Sequence, residues 1–128
     1  MSPTVSVEVI AGEFAVCRLP GDAPAPSVPA RAELYALTRT RDELSIVCAV
    51  GEAPAGATVE AGWRALRVLG PLDFALTGIL AALATPLAAA GLSIFAVSTY
   101  DTDYLLVRDD ALDAAVQTLR GAGHDVTA

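Results

Sequence analysis

Hydrophobic and polar residues alternate near the start of the chain with the period of a β-strand. In residues 5–9, valine occupies every second position, which predicts a half-buried strand. The short link Gly12-Glu13 then leads into an apolar run from Phe14 to Leu19. Two strands joined by so short a link are typical of a β-hairpin, which we predict here.

The rest of the first half continues the β pattern and then loses it. Strands are predicted over residues 34–38 and 44–50, and residues 40–43 between them have the capping-box pattern that starts a helical turn. Residues 51–62 are rich in Ala, Pro and Gly, which predicts a boundary between two halves. We therefore divide the chain into a mostly β half, residues 1–58, and a second half, residues 59–128.

The second half begins with a strand and a strongly apolar helix. The strand is predicted from Trp63 to Leu69, and the helix from Leu76 to Ala90 is hydrophobic on most of its sides. Pro86 lies inside this helix and has no amide donor, so we expect a kink or a short break there. Gly91 is suited to end the helix, because glycine adopts positive φ angles without strain.

A second helix and three more strands complete the predicted elements. They are a strand over 92–98, a turn over 99–102, a strand over 104–107, a helix from residue 109 to residue 120, and a short strand over 124–126. The order from Trp63 is β-α-β-β-α-β, which is the ferredoxin-like arrangement. The predicted fold class is α+β, a ferredoxin-like domain preceded by a smaller, mostly β half that packs with it.

Composition narrows the class of function. The chain has 128 residues, is 54% hydrophobic and carries a net charge of −7, and its basic residues form no cluster. Nucleic-acid binding needs a basic surface, so we expect no nucleic-acid partner. The longest apolar stretch, residues 79–97, is interrupted by Thr, Pro, Gly and Ser, and the N-terminus lacks an export signal. We expect a cytoplasmic protein that neither enters a membrane nor carries a cofactor.

Two pairs of residues are candidates for catalysis, and each has a simpler interpretation. Cys17 and Cys48 lie in apolar runs, which favours reduced core thiols over a nucleophile paired with the one histidine, His124. Asp101 and Asp103 would point to opposite faces of an extended segment, which is poor geometry for joint chemistry. Metal-ligand spacing, a phosphate loop and a nucleophile elbow are all missing from the sequence. We therefore predict no enzymatic activity and no metal site.

Two segments of the second half resemble a known family. Residues 70–80 and 86–95 combine an Asp-containing loop, a Gly at the helix start and an Ala-Gly-Leu exit into the next strand. Residues 98–107, Ser-Thr-Tyr-Asp-Thr-Asp-Tyr-Leu-Leu-Val, contain a Ser-Thr-aromatic-x-x-Asp-x-x-Leu-Val pattern. Both segments resemble the ACT domain, in particular the ACT repeats of CASTOR-type amino-acid sensors and their short bacterial relatives. Residues 14–20 and 45–48 are similar to the N-terminal part of the same family, so the resemblance covers nearly the whole chain.

The resemblance implies a non-catalytic regulatory module that binds an amino acid at a seam between subunits or domains. ACT modules pair through sheet edges or helices, so a homodimer is expected, and a protein partner is a further expectation. The apolar outer face of the helix over 79–90 agrees with such an assembly, because water covers an apolar surface unfavourably. A structural interaction domain without a ligand stays open as an alternative.

The implied site lies at the helix start and at the turn after the next strand. Its predicted ligand-binding residues are Asp73, Thr77, Gly78, Ile79, Ser98, Thr99 and Asp103. Backbone amides at the helix start suit a carboxylate, while Asp73 and Asp103 suit an ammonium or a basic side chain such as that of arginine or lysine. Each residue also has a structural interpretation, because Asp and Thr are ordinary capping and turn residues.

Overall fold

The computed structural model describes residues 3–70 and 78–128, which form two compact units. Gly12–Trp63 make up one, which we call the strand unit. The other, the helical unit, combines Met1–Ala11 with Arg64–Ala128. Residues 1–11, which the sequence predicts to belong to the first half, are grouped with the second half in the structure.

The strand unit is an antiparallel sheet of four segments. Its strands are β2 (Phe14–Pro20), β3 (Ala36–Arg39), β4 (Glu43–Ala49) and the first part of β5 (Thr58–Val68), in the order β3-β4-β2-β5. One face buries a cluster of small and apolar side chains, namely Ala15, Cys17, Leu44, Ile46 and Cys48. The mostly β character predicted for this half is confirmed.

Two predictions in the strand unit are wrong. Thr40 starts a tight hairpin turn between β3 and β4, in which its Oγ1 accepts hydrogen bonds from the amides of Asp42 and Glu43, 3.2 Å each. The amide of Thr40 also donates to the carbonyl of Glu43, so strand pairing replaces the predicted helical turn. The strand predicted to begin at Trp63 begins earlier, because β5 starts at Thr58, inside the Ala-, Pro- and Gly-rich region 51–62.

The helical unit contains the predicted β-α-β-β-α-β order with one strand added. Its elements are β1 (Ser6–Val9), the end of β5, α1 (Ile79–Ala89), β6 (Ile94–Ser98), β7 (Asp103–Arg108), α2 (Leu112–Gly121) and β8 (Asp125–Thr127). The strand order is β6-β7-β5-β1-β8. The α+β fold class and the ferredoxin-like arrangement are confirmed.

Strand β1 lies between the first and last strands of this arrangement. It pairs antiparallel with β5 through Val7 opposite Val68, and parallel with β8 through Val7 opposite Val126. The hairpin predicted between β1 and β2 is therefore wrong. A short link suggests local pairing, but both edges of β1 are taken by strands that are distant in sequence.

Both helices bury their apolar faces on one side of this sheet. Leu83 and Leu87 of α1 and Leu119 of α2 are fully buried against sheet residues such as Leu66 and Leu105. Each such leucine stabilises the folded state by roughly 1.5–3 kcal/mol relative to an exposed position. The predicted apolar face of α2 is confirmed by the burial of Ala115, Val116 and Leu119.

Helix α1 ends where Gly91 predicts that it should. Gly91 has a φ of 76°, its amide donates to the carbonyl of Ala88, and the amide of Leu92 donates to that of Leu87. These two bonds form a Schellman motif, which supplies hydrogen-bond donors to carbonyls at the end of the helix that have none within it. A side chain at position 91 would strain this conformation.

The helix runs through Pro86 without the predicted break. A proline at this position cannot donate to the carbonyl of Ala82, four residues earlier. Nε2 of His124 lies 2.9 Å from that carbonyl oxygen, while Nδ1 of His124 accepts a hydrogen bond of 3.2 Å from the amide of Val5. This assigns the Nε2–H tautomer to a buried imidazole that replaces the missing donor and ties α1 to the segment before β1.

We expect the roles of Pro86 and His124 to be coupled energetically. His124→Ala leaves the Ala82 carbonyl and the Val5 amide unsatisfied and should lower the free energy of unfolding by about 1–3 kcal/mol. Pro86→Ala restores an amide donor to the same carbonyl, so His124→Ala should cost less in that background. Urea unfolding of the four proteins of this cycle measures the coupling, and strictly additive effects would contradict this role of His124.

The two cysteines are free thiols inside the core of the strand unit. Burial raises the pKa of Cys48 to about 12, and the neighbouring Cys17 adds to this shift. Burial also raises the pKa of Cys17, and a hydrogen bond with Cys48 offsets part of that effect. Because only the thiolate is an effective nucleophile, we expect both thiols to be unreactive in the folded protein.

Both thiols should resist a disulfide reagent near neutral pH and react once the protein is unfolded. The pKa of an unfolded thiol is about 9 and that of folded Cys48 is about 12, so the free energy of unfolding should fall as pH rises through this window. Urea titrations at several pH values test this, with Cys48→Ala as the control, which should show a shallower decline. Rapid labelling of the native protein would contradict the buried assignment.

Candidate functional site

The turn between β6 and β7 is held by a dense set of short hydrogen bonds. Oγ1 of Thr99 donates to the carbonyl of Thr102 at 3.0 Å and accepts from the amide of Thr102 at 3.2 Å. The amide of Thr99 also donates to the carbonyl of Thr102, at 2.8 Å. The polar groups of Thr99, predicted to face a ligand, are therefore used inside the turn.

A further bond ties this turn to the end of β5. Oγ1 of Thr102 donates to the carbonyl of Val68 at 2.7 Å, and this contact is partly buried. Beside it lies a pocket of about 230 Å³ lined by Arg67, Val68, Gly70, Thr99, Asp101, Thr102 and Tyr104. We call this the turn pocket. Its size is below that of drug-sized ligand sites, which suits a small molecule.

Arg67 brings a positive charge to the turn pocket. Val68 packs in the core beneath the helices, so by strand alternation its neighbour Arg67 points to the opposite face of the sheet. Nη2 of Arg67 lies 2.9 Å from Oε1 of Glu8, which is directly opposite on β1. Nε of Arg67 is buried and has no hydrogen-bond partner within the described part of the chain.

Arg67 is not among the functional residues that the sequence predicts. One feature of the sequence could have indicated a functional role, because Arg67 lies near the end of a predicted strand, three residues before Gly70. Its proximity to the turn depended on which strands pair, which no local pattern showed.

Ser98 and Asp103 face each other across β6 and β7. They are register partners, and Oγ of Ser98 donates to Oδ1 of Asp103 at 2.7 Å. One carboxylate oxygen of Asp103 is thereby engaged by a neighbour in the same sheet. The structure brings these two predicted site residues together at the base of the turn.

The predicted residues at the helix start lie at a different cavity. Gly78 precedes α1 with a φ of 80° and lines a groove of about 540 Å³ with apolar and small residues of α1, Pro3, Thr4, Ala122 and His124. Ile79 is half-buried and packs against the core of the helical unit. Asp73 and Thr77 lie outside the described residues.

The pairs considered for catalysis have other roles in the structure. Cys48 is buried in the core of the strand unit, and both ring nitrogens of His124 are bonded to backbone groups. Asp101 is exposed, and Asp103 bonds to Ser98. Across residues 3–70 and 78–128, His, Cys, Asp and Glu form no group of three that could hold a metal ion. In the same ranges, neither helix is long and apolar enough to cross a membrane.

The sequence is similar to part of a cytosolic arginine sensor found in mammals. The cytosolic arginine sensor for mTORC1 subunit 1 of Homo sapiens is 41% identical over 59 residues, which are 45% of this chain and 18% of the sensor. The protein of that name from Mus musculus is 39% identical over the same length. The chain therefore spans less than a fifth of these curated relatives.

Solved structures resemble the chain over nearly its full length. A protein of Agrobacterium tumefaciens is 35% identical with a TM-score of 0.89, covering 98% of this chain and 93% of its own. A Vibrio cholerae protein of unknown function is 26% identical with a TM-score of 0.73, covering 93% and 90%. The regulatory subunit of aspartate kinase from Thermus flavus shares the fold, with a TM-score of 0.64, 10% identity, and coverage of 94% and 99%.

Two family models match the sequence. One, described as an N-terminal domain, matches residues 12–55, which lie within the strand unit. The other, described as the ACT domain, matches residues 58–121, half of the chain, and includes both helices and the turn pocket. On this match, and on the β-α-β-β-α-β arrangement that it covers, the chain belongs to the ACT domain family.

Proposed function

We propose that this protein is a non-catalytic regulatory module that binds a free amino acid. The observation that carries the proposal is the turn pocket, a small polar pocket at the turn whose sequence resembles that of ACT-type sensors. The function of its curated relatives supports it, since these are arginine sensors. We place its action in the cytoplasm, as for the cytosolic sensor.

The ligand would be held at the turn over residues 98–103, and the groove at the start of α1 is the competing position. Gly78 at the helix start leaves room for a ligand beside the backbone, since a glycine has no Cβ. At the turn, Asp103 has a second carboxylate oxygen available for an ammonium or a basic side chain. Asp73 and Thr77 remain part of the proposed site, and a basic amino acid remains the favoured ligand.

We further propose that the protein acts as a homodimer whose seam lies near this site. The solvent side of α1 carries Ala81, Thr85, Ala88 and Ala89, small residues that would let a second subunit approach closely. A purely structural interaction domain would show the same surface without any ligand. Ligand binding therefore separates the two functions.

A screen of all twenty proteinogenic amino acids by thermal unfolding should find one that stabilises the protein. At a hundredfold excess over its dissociation constant, the ligand should add about 2.7 kcal/mol to the free energy of unfolding. Analytical ultracentrifugation of the same samples should show a dimer. A protein that stays monomeric and gains no stability from any amino acid would contradict the proposal.

Thr102→Val should loosen the turn and weaken binding of the amino acid found in that screen. The variant removes the hydroxyl that holds the turn to β5, which should cost roughly 1 kcal/mol of stability. Thr118→Val is a matched control, because Oγ1 of Thr118 bonds at 2.7 Å to the carbonyl of Ala114 within α2. Calorimetric titration should show weaker binding for Thr102→Val and unchanged binding for Thr118→Val. Equal affinities would show that the turn does not shape the site.

A further inference from the structure

We infer that Arg67 is the residue that binds the carboxylate of the amino-acid ligand, in the turn pocket on the helix-free face of the sheet. The inference rests on the proposed function and deepens it by naming a binding residue and the ligand group that it recognises. It also assigns the carboxylate to a side chain on β5, where the sequence had pointed to backbone amides at the start of α1.

Arg67 has donors to spare for a ligand. A guanidinium carries five N–H donors in a planar fork, and the contact with Glu8 uses Nη2. Nε has no hydrogen-bond partner in the described residues, although it is buried. The side chain is 41% exposed, and the residue lines the turn pocket. The planar guanidinium of arginine matches the geometry of a carboxylate better than the ammonium of lysine does.

The rest of the pocket suits a zwitterion. Asp101 lines the same cavity and supplies a negative charge for the ligand's ammonium, and Tyr104 also lines it. A positive and a negative side chain on one pocket of about 230 Å³ complement the two charges that every free amino acid carries. The pocket is also preorganised, because the Thr102 hydroxyl fixes the turn to the carbonyl next to Arg67.

The groove beside Gly78 offers less for a carboxylate. Its lining contains proline, threonine, alanine and glycine, and its one ionisable residue is His124. Both nitrogens of His124 already bond to backbone groups, so the groove brings no available cation from the described residues. Backbone amides at the helix start are then the competing carboxylate site, and the experiment must separate the two.

The experiment compares an amino acid with its carboxamide on matched variants. The probe is the proteinogenic amino acid that gives the largest thermal shift with the intact protein, and its carboxamide keeps the amine and side chain but loses the charged carboxylate. Arg67→Gln removes the proposed partner. Arg64→Gln is the control, because Arg64 lies on the same strand, has a buried Nε without a partner and pairs with Asp109 at 3.6 Å, yet lies away from the turn pocket.

Arg67→Gln should weaken binding of the amino acid by about 10- to 100-fold, while Arg64→Gln leaves it unchanged. The carboxamide should bind the intact protein about as weakly as the acid binds Arg67→Gln, and that variant should not distinguish acid from amide. Arg67→Lys, which keeps the charge without the fork, should bind with intermediate affinity. Glu8→Gln removes the same ion pair but keeps the guanidinium, so it should bind at least as tightly as the intact protein.

Two results would overturn the inference, and they have different consequences. If the intact protein binds an amino acid and Arg67→Gln loses affinity for its carboxamide and its acid equally, the carboxylate is bound elsewhere and the proposed function stands. If the intact protein binds no amino acid, both the inference and the proposed function fail. Unfolding curves of Arg67→Gln and Arg64→Gln with similar midpoints confirm that lost binding is not lost folding.

Discussion

Strand β1 determines how the helical unit is built, because it bonds to a neighbour on each side. It places Val7 in the core between β5 and β8, and it places Glu8 opposite Arg67. The segment just before it receives the bond from Val5 to His124. Without this strand, β5 would expose an unpaired edge, β8 would lose the strand with which it pairs, and the histidine would lose one of its two partners.

The periodicity of the sequence predicted most elements but not all of their partners. The β-α-β-β-α-β order followed from helical and alternating patterns, because these report how each segment faces the core. The hairpin between β1 and β2 was wrong because pairing over long distances leaves no local trace. The start of β5 was missed because the Ala, Pro and Gly content of residues 51–62 outweighed the alternation of Val59 and Ala61 with Thr58 and Glu60. The predicted break at Pro86 is absent because His124 supplies the missing donor from another segment.

The sequence predicted the turn residues of the candidate site but not its positively charged residue. Residue types and family resemblance marked Ser98, Thr99 and Asp103, and the structure gathers them at one turn, where much of their polar capacity serves the turn itself. The cationic group of the pocket, Arg67, has an ordinary sequence context. Only the pairing of β1, β5 and β7 shows that it borders the turn. Sequence therefore predicts residues that build a site better than residues brought to it by a distant strand.

The position of β1 has a consequence for biosynthesis. A ribosome makes β1 well before β8, and the bond between Val5 and His124 closes over 119 residues. Contacts between such distant residues form slowly, because closing the loop costs entropy before the contacts repay it. The segment of β1 therefore leaves the ribosome before the strands with which it pairs have been made. The strand unit, whose contacts span fewer residues, can fold before β1 is paired.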